Sequence, residues 1–244
     1  MLNISKKLTS LVGKTNAKYN LLEKNDKVLV GFSGGKDSLT LIHILNRIKN
    51  IAPYKFEFEA VTVSYGMGEN LKFLQDHCAK HKIKHHIIDT KIFDISKQKI
   101  RKNSSFCSFV SRMRRGHLYS YALKHNFNKI ALGHHLDDAV ESFFMNIFYN
   151  GAMRTMPPIY KAKNGLQVIR PLIFCRERQL DGFAKEHKIE TISDENCPAF
   201  RVDIKMPHTR EKTKKLLHEL QLQNPKLFTT IKASFENIHI DTFF

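Results

Sequence analysis

The sequence predicts an α/β protein, in which a mostly parallel sheet of five strands has helices on both faces and further helices follow at the C-terminal end. Short apolar segments rich in valine and isoleucine alternate with longer segments whose apolar residues recur at helical spacing. This alternation is typical of parallel sheets, because a crossover between two parallel strands needs a long connection, usually a helix. In addition, a glycine-rich turn joins the first strand directly to its helix.

The expected elements follow in order from these patterns. An amphipathic helix extends from Ile4 to about Tyr19, since its apolar residues fall on one face. The segment 150–158 is expected to be a loop, because two prolines and a glycine interrupt the alternation. Strands are expected at 28–32, 56–63, 83–88, 130–132 and 166–169, and helices at 39–48, 71–81, 106–125 and 136–148.

The C-terminal part is expected to be helical and basic, with one helix over 209–222 and a second, short helix after Pro225. We expect an N-terminal helix at 1–24, a main domain at 25–200, and basic helices at 201–244 that pack on the same domain. A length of 244 residues and a hydrophobic content of 42% fit one large domain with a substantial core.

The chain is strongly basic, with 40 lysine and arginine residues against 23 aspartate and glutamate residues, a formal net charge of +17. Basic residues cluster at 97–102, 112–115 and 210–215, which favours a nucleic acid as partner over mere solubility. No apolar run approaches the roughly 20 residues that span a membrane, and the N-terminus lacks a secretory-signal pattern. We therefore expect a cytoplasmic protein without membrane contact.

The most informative motif is the loop from Ser33 to Ser38, which reads Ser-Gly-Gly-Lys-Asp-Ser and follows the first strand. Glycines let several backbone N–H groups approach one anion, and the N-terminus of the following helix adds positive potential. Lys36 contributes a further positive charge for phosphates, and the two serines contribute hydroxyl donors. The spacing excludes the Walker A motif and the dinucleotide-binding motif. A glycine turn with an exposed Lys-Asp pair is the simpler alternative.

A second motif, Gly-His-His-Leu-Asp-Asp from Gly133 to Asp138, follows the fourth strand. Both motifs are expected at the carboxyl ends of strands, where parallel sheets bind ligands. Carboxylates at this place can hold Mg²⁺ on ATP phosphates, and a histidine can bind the nucleotide or transfer protons. Alternatively, Asp137 or Asp138 only caps the helix that begins here. Zinc binding by His134 and His135 is disfavoured, because adjacent residues in a strand point to opposite faces.

The four cysteines show no Cys-x-x-Cys spacing, so the sequence has no zinc or redox motif of that kind. In a cytoplasmic protein they are expected to be thiols rather than disulfides. From the sequence alone, each is expected to be a small residue of the core. They are Cys78, Cys107, Cys175 and Cys197.

Five motifs occur in one order, at 33–38, 107–116, 131–138, 156–158 and 169–177. Together they resemble the tRNA 2-thiocytidine synthetases (the TtcA family), PP-loop ATP pyrophosphatases related to the lysidine synthetases. The resemblance covers roughly residues 15 to 200. It implies an enzyme that uses ATP and Mg²⁺ to adenylate the C2 oxygen of a cytidine in the tRNA anticodon loop and releases pyrophosphate. A sulfur atom delivered through an iron–sulfur cluster then replaces that oxygen.

The resemblance implies roles for individual residues. Catalytic roles are expected for Lys36, Asp138, Cys107 and Cys197, with Mg²⁺ at Asp138 and the [4Fe–4S] cluster at the two cysteines. ATP contacts are expected at Ser33, Gly34, Gly35, Lys36, Asp37, Ser38, Ser64, Gly133 and His134. Contacts to tRNA are expected at Arg112, Arg114, Arg115 and Arg154, because guanidinium groups suit phosphate oxygens. A solvated helix face is the alternative interpretation of the three arginines at 112–115.

Two places depart from the family pattern: the acidic residue common after the second strand is missing at 63–66, and the cysteine set is incomplete. A second cysteine is expected three residues after Cys107, but Val110 stands there, and valine cannot bind iron. The usual set of three thiolates is therefore incomplete. Either Asp194 or Cys175 substitutes as a ligand, or Cys107 and Cys197 act as a persulfide and resolving pair. A third alternative is a different nucleophile, and a fourth is that both cysteines only pack in the core.

The expected partners are tRNA and a sulfur donor such as a cysteine desulfurase, and association with a second copy of the chain is left open. Two other functions compete with thiolation. The first is a PP-loop ligase that installs nitrogen, like a lysidine synthetase, and the second is a non-catalytic RNA-binding homologue. Intact motifs at 33–38 and 133–138 argue against the non-catalytic alternative.

Overall fold

The computed structural model describes residues 2–99, 106–192 and 209–242, which form nine helices and six strands. In chain order they are α1 Lys6–Tyr19, β1 Lys27–Gly31, α2 Lys36–Ile51, β2 Glu57–Val63, α3 Lys72–Lys80, β3 His85–Ile88, α4 Ile92–Lys99, α5 Phe106–Lys124, β4 Lys129–Ala131, α6 Leu136–Asn150, β5 Ile159–Lys161, β6 Gln167–Ile169, α7 Glu177–Glu186, α8 Thr209–Gln223 and α9 Leu227–Ser234. Among these, no helix is long and apolar enough to cross a membrane.

The predicted mostly parallel sheet is confirmed, and it has six strands rather than five, in the order β3-β2-β1-β4-β6-β5. All five predicted strands are present and pair parallel with one another. The additional strand β5 pairs antiparallel with β6 at the edge of the sheet. It has three residues and follows two prolines, which is too short a segment to show a period-2 pattern.

The two faces of the sheet bury separate clusters of apolar side chains. Because successive residues of a strand point to opposite faces, Val28 and Val30 of β1 pack with helices α1, α2, α3 and α7. Leu29 points the other way and packs with α4 and α5. A third cluster joins α6 to α8 and α9, with Val140, Leu217 and Phe228 at its centre. The basic C-terminal helices therefore contact the main body through α6.

The strand order places two loops side by side. From β1 the chain proceeds through β2 to β3 on one side, and β4 then returns to the other side of β1. Loops that leave the carboxyl ends of β1 and β4 thus diverge from one point, which is where open α/β sheets form a ligand crevice. The glycine loop at 33–38 and the segment 132–135 lie at this point.

At the opposite end of β4, a buried lysine holds the amino ends of the strands together. The side chain of Lys129 is 1% exposed, and its Nζ lies 2.8 Å from Asp26 and 3.0 Å from Glu23. It also donates to the carbonyl of Leu21 at 3.1 Å. Asp26 accepts a further hydrogen bond from Asn128 at 2.7 Å. A charge so deeply buried is tolerated because its donors are fully paired.

We expect Lys129→Met to lower the free energy of unfolding by about 3–5 kcal/mol, because it leaves the Asp26 carboxylate buried without its cation. Urea denaturation followed by circular dichroism measures the difference from the wild type. The double variant Asp26→Asn/Lys129→Met removes both charges and is expected to recover part of the loss. A loss below about 1 kcal/mol in the single variant, as for an exposed ion pair, would contradict this role.

Candidate active site

A cavity of about 320 Å³ lies at the carboxyl ends of β1 and β4. The glycine loop forms one wall, the segment after β4 forms the second, and α5 covers the third. It brings together eight residues that the sequence analysis singled out: Ser33, Asp37, Ser38, Arg114, Arg115, Gly133, His134 and Asp138. These residues come from three distant parts of the chain and combine hydroxyls, carboxylates, an imidazole and guanidinium groups.

Hydrogen bonds within the glycine loop fix its shape. The backbone N–H of Ser33 donates to the hydroxyl of Ser38 at 3.2 Å, and that hydroxyl donates to the carbonyl of Gly35 at 2.9 Å. Gly34 has a φ of +81°, and an added Cβ would lie 2.6 Å from Ile192, so only glycine fits there. Gly35 begins α2 without a side-chain cap. The first N–H groups of α2 consequently point toward an anion site.

Lys36 does not reach into the cavity; its ammonium group is paired with acidic residues of α7. Nζ lies 3.1 Å from Glu177 and 3.7 Å from Asp181. Burial lowers the pKa of Lys36, but these carboxylates and Asp37 raise it above its ordinary value overall. Burial likewise raises the pKa of Glu177, but hydrogen bonds from Lys214 and Lys36 lower it to about 2. Lys36 is thus held charged by ion pairs outside the cavity.

A close approach of two backbones sets the width of the site. A Cβ on Gly133 would lie 3.2 Å from the backbone nitrogen of Ser38 and from the carbonyl carbon of Asp37. These atoms belong to the first turn of α2, which cannot move without displacing the loop. Glycine at position 133 therefore allows the segment after β4 to lie directly against the start of α2.

Asp37 differs from the other carboxylates of the site. Its Oδ1 is buried and has no hydrogen-bond partner. Burial raises the pKa of Asp37 above its ordinary value, although His135 and Lys36 partly oppose this effect. The nearest cation is the ammonium of Lys36, 3.6 Å from Oδ2. An unpaired buried carboxylate oxygen is costly in a folded protein and is a common feature of cation sites.

Asp138 does cap α6, as the simpler alternative proposed. One of its oxygens accepts from the backbone N–H of His135 at 3.0 Å, and the other is paired with Arg210 of α8. Burial raises the pKa of Asp138, but His135 and Arg210 hold it below its ordinary value. Arg210 also donates to the buried Glu141 at 2.8 Å. Asp138 thus combines a capping role with a place on the cavity wall.

Asp137 is fully occupied by structural contacts. The guanidinium of Arg176 contacts both of its carboxylate oxygens at 3.0–3.1 Å, and the backbone N–H of Glu177 donates at 2.8 Å. The sequence placed Arg176 and Glu177 in a family motif without assigning them a function. Their partners lie about forty positions away in the chain, so no local pattern shows them.

His134 is oriented by Arg170, another residue that sequence reasoning did not assign. The Nε of Arg170 donates to Nδ1 of His134 at 3.3 Å, and its NH1 donates to the carbonyl of Pro157 at 2.6 Å. Burial, followed by the charge of Arg170, lowers the pKa of His134 to about 4. The ring is therefore neutral at pH 7 and carries its proton on Nε2.

The four predicted tRNA-binding arginines occupy different environments. Arg114 donates to the hydroxyl of Tyr65 at 2.9 Å and lies over the same ring, whereas Arg115 is exposed at the cavity wall. Arg112 is exposed on α5, one turn from Arg115. Arg154 lies in the loop after α6 and donates to Asn146 at 3.2 Å. The structure thus brings two of the four to the cavity.

Ser64 does not line the cavity. Its hydroxyl accepts from the backbone N–H of Thr90 at 3.1 Å, and Thr90 donates back to the Ser64 carbonyl at 2.6 Å. Ser64 borders a small neighbouring depression that it shares with Ser33 and Arg114. Ser64 thus lies at the edge of the site, and its contact with ATP stays a prediction.

The structure describes the surroundings of some of the residues expected in sulfur chemistry and not of others. Cys107 belongs to the first turn of α5, and Cys197 lies outside the described residues. Val110 is 6% exposed and packs in the apolar cluster beneath α5. Cys175 is fully buried, and desolvation raises the pKa of its thiol to about 12. Such a thiol is a poor metal ligand, because the thiolate is the form that binds.

Comparison with known proteins agrees with this geometry. Residues 2–201 match the family model of the PP-loop domain. The tRNA-cytidine(32) 2-sulfurtransferase of Geobacter metallireducens is 38% identical over 235 residues, which cover 96% of this chain and 90% of that protein. The protein of the same name from Legionella pneumophila is 38% identical over 238 residues, which cover 97% of this chain and 82% of the relative.

Solved structures show the same fold. The U34-tRNA thiolase NcsA from Methanococcus maripaludis, solved with its [4Fe-4S] cluster, superposes with a TM-score of 0.78 at 21% identity. The match covers 95% of this chain and 78% of that one. An NH3-dependent NAD synthetase from Campylobacter jejuni gives a TM-score of 0.51 at 17% identity, over 95% and 93% of the two chains. At these identities the similarity concerns the fold alone.

The glycine loop and the segment after β4 lie within the matched region, and the sequence relatives extend along nearly the whole chain. The resemblance inferred from the five motifs is confirmed. This chain belongs to the PP-loop family and, within it, to the family of the tRNA-cytidine(32) 2-sulfurtransferases.

Proposed function

We propose that this chain is an ATP-dependent tRNA thiolase that adenylates the C2 oxygen of cytidine 32 in the anticodon loop and replaces that oxygen with sulfur. The observation that carries the proposal is one cavity shared by the glycine loop, two carboxylates and the arginines of α5. It puts phosphate-binding groups beside groups that suit an RNA backbone. The names of the relatives given above state the same tRNA position and the transfer of sulfur to it.

In the first step, the glycine loop binds the phosphates of ATP. Backbone N–H groups at the start of α2 and the hydroxyl of Ser33 are the donors for this purpose, and the Ser38 hydroxyl, which donates to Gly35, keeps the loop in shape. The cytidine oxygen attacks the α-phosphate, and pyrophosphate leaves. Lys36 exchanges its contact with Glu177 for the phosphates and stabilises the charge that develops on the leaving group.

His134 serves as a hydrogen-bond donor rather than as a base. Arg170 occupies Nδ1, so the proton on Nε2 is available to a phosphate or to the cytidine oxygen. Because the pKa of His134 is lowered to about 4, the ring does not take up a proton at pH 7. Arg170 is consequently a positioning residue that keeps this tautomer.

The acidic residues of the cavity fit Mg²⁺. The ion prefers oxygen ligands and is usually held by one or two carboxylates together with substrate phosphates. Asp37 offers a buried Oδ1 without a partner, and Asp138 lies on the same cavity wall. When bound, Mg²⁺ neutralises negative charge on the phosphates. Asp37, which the sequence analysis assigned to ATP, thus joins Asp138 as a proposed Mg²⁺ ligand.

The described residues do not fit a cluster held by three cysteines. Val110 offers no donor atom, and Cys175 is a buried thiol within the core. We infer that sulfur arrives from a donor such as a cysteine desulfurase as a persulfide on Cys107. Its terminal sulfur attacks C2, and AMP leaves. Cys197 then attacks the sulfur of Cys107, which releases the thiolated base and leaves a disulfide that a cellular dithiol reduces.

Adenylation and the identity of the incoming atom are tested together with purified protein, ATP, Mg²⁺, unmodified tRNA and a persulfide source. We expect pyrophosphate release that requires tRNA, and 2-thiocytidine in the digested tRNA by mass spectrometry. Lys36→Ala is expected to lower pyrophosphate release by about 100-fold or more, since it removes the charge that stabilises the leaving group.

Glu177→Gln is the matched control for that variant, because it breaks the same ion pair and keeps the ammonium group. It is expected to retain most of the activity. Pyrophosphate release with a nitrogen-containing product would instead identify a nitrogen-installing ligase. No ATP consumption with tRNA would identify a non-catalytic RNA-binding protein.

The Mg²⁺ assignment predicts that Asp37→Asn requires more Mg²⁺. At fixed ATP, the free Mg²⁺ concentration for half-maximal pyrophosphate release is expected to rise by about tenfold or more, as a lost carboxylate ligand weakens binding. Asp181→Asn is the control, because it removes an equal charge near the same lysine. Equal shifts in both variants would show a general electrostatic effect and exclude Asp37 as a ligand.

The tRNA assignment predicts that Arg112→Ala weakens tRNA binding and lowers the salt dependence of binding by about one phosphate contact. Fluorescence anisotropy with labelled tRNA at several salt concentrations measures both quantities. Lys7→Ala is the control, since Lys7 is exposed on α1, which covers the opposite face of the sheet. If both variants lose the same affinity, the α5 surface has no special role.

A further inference from the structure

Three histidines form a cluster outside the candidate active site. His43 lies on α2, His77 lies in the last turn of α3, and His81 is the C-cap residue directly after α3. The Nε2 atoms of His43 and His77 are 2.8 Å apart. One nitrogen from each of the three rings lies within 4.8 Å of the other two. Two helices that are separate in sequence therefore present three imidazoles to one point.

The burial of the cluster is unusual for packing alone. His43 is 1% exposed, and its Nδ1 has no hydrogen-bond partner.

We propose that His43, His77 and His81 form a binding site for a divalent transition-metal ion, with Zn²⁺ the best match and a water molecule in the fourth position. Zinc binds imidazole nitrogens at about 2.0–2.1 Å, which puts the nitrogens of a tetrahedral site about 3.4 Å apart. The observed separations, from 2.8 Å to at most 4.8 Å, bracket this value. Small rotations of the His77 and His81 side chains bring the three nitrogens to the separations of a tetrahedral site.

One side of the cluster is accessible to solvent, and the other side is packed against the protein. His77 and His81 are half-buried, so solvent reaches their side of the cluster. On the buried side of the cluster, the ring of His43 packs against the ring of Phe183 of α7, which fixes its position. The hydrogen bond described for the nearby His187 lies outside the cluster. Its Nε2 is 2.7 Å from the carbonyl oxygen of Asn3. Among the residues that the structure describes, the site therefore has three candidate ligands.

A bound ion would hold α3 against α2. Such a link fastens a helix that otherwise contacts the body through few buried side chains, Leu74 and Cys78 among them. His43 lies seven residues after Lys36 on the same helix, or about 10 Å along its axis. The metal site is thus distinct from the cavity and shares only the helix with it.

The test uses the full chain, freed of any affinity tag and dialysed against a chelator, in a Cys107→Ser/Cys197→Ser background. This background removes two thiols that would compete for zinc. Isothermal titration with ZnCl₂ is expected to show one equivalent bound. His77→Gln and His81→Gln are each expected to weaken binding at least tenfold, whereas His239→Gln, at an exposed histidine outside the cluster, leaves it unchanged.

Two further measurements distinguish metal binding at the three histidines from metal binding elsewhere on the chain. Zinc is expected to raise the melting temperature of the parent protein, because a ligand that binds the native state stabilises that state. The melting temperatures of the His77→Gln and His81→Gln variants are expected to stay unchanged. Substituted Co²⁺ is expected to give visible bands of a tetrahedral nitrogen and oxygen site without a thiolate charge-transfer band. No zinc bound in the Cys107→Ser/Cys197→Ser background, or equal binding in the parent and in the His77→Gln and His81→Gln variants, would overturn the proposal.

Discussion

The parallel pairing of β1 with β4 is the constraint on which the site depends. Their register pairs Val28 with Lys129 and Val30 with Ala131, so both strands end at the same edge. The glycine loop and the segment after β4 must then share one space, and Gly133 allows this because a Cβ at that position would lie 3.2 Å from the backbone of Asp37 and Ser38. Phosphate donors and acidic residues meet because the strands are neighbours. The sequence distance between them, about a hundred residues, has no influence on this geometry.

Charge balance around the cavity determines how the outer helices attach. Buried and half-buried carboxylates on α6 and α7 would repel one another, but Arg176, Arg210 and Lys214 each contact at least one of them. Two of these cations lie on α8, so the C-terminal helix contributes to the electrostatics of the site and not only to the third apolar cluster. Asp37 alone among the cavity carboxylates keeps a buried oxygen without a partner, which is why cation binding is assigned there.

The sequence predicted the elements whose signals are local. The apolar strand before Ser33, the glycine loop and the helix after it are contiguous, and each is specified by neighbouring residues. Apart from helices α4 and α7, which it also did not predict, what it missed depends on distant partners: the three-residue strand β5, the contact of Lys36 with Glu177, and the contact of Arg210 with Asp138. The His77–His81 spacing is visible in the sequence, but its third member lies on another helix.

The position of Val110 separates two functions that the family combines. Its side chain packs in the apolar cluster beneath α5, whereas Ser111 and Arg114 of the same helix line the cavity. A cysteine behaves as a small hydrophobe when buried, so valine replaces it there with little change in packing. The glycine loop, Asp37 and His134 have no contact that requires a thiol at this position. In the proposed mechanism, adenylation therefore depends on the glycine loop, Asp37 and His134, and sulfur delivery depends on the cysteine positions, where Val110 departs from the family pattern.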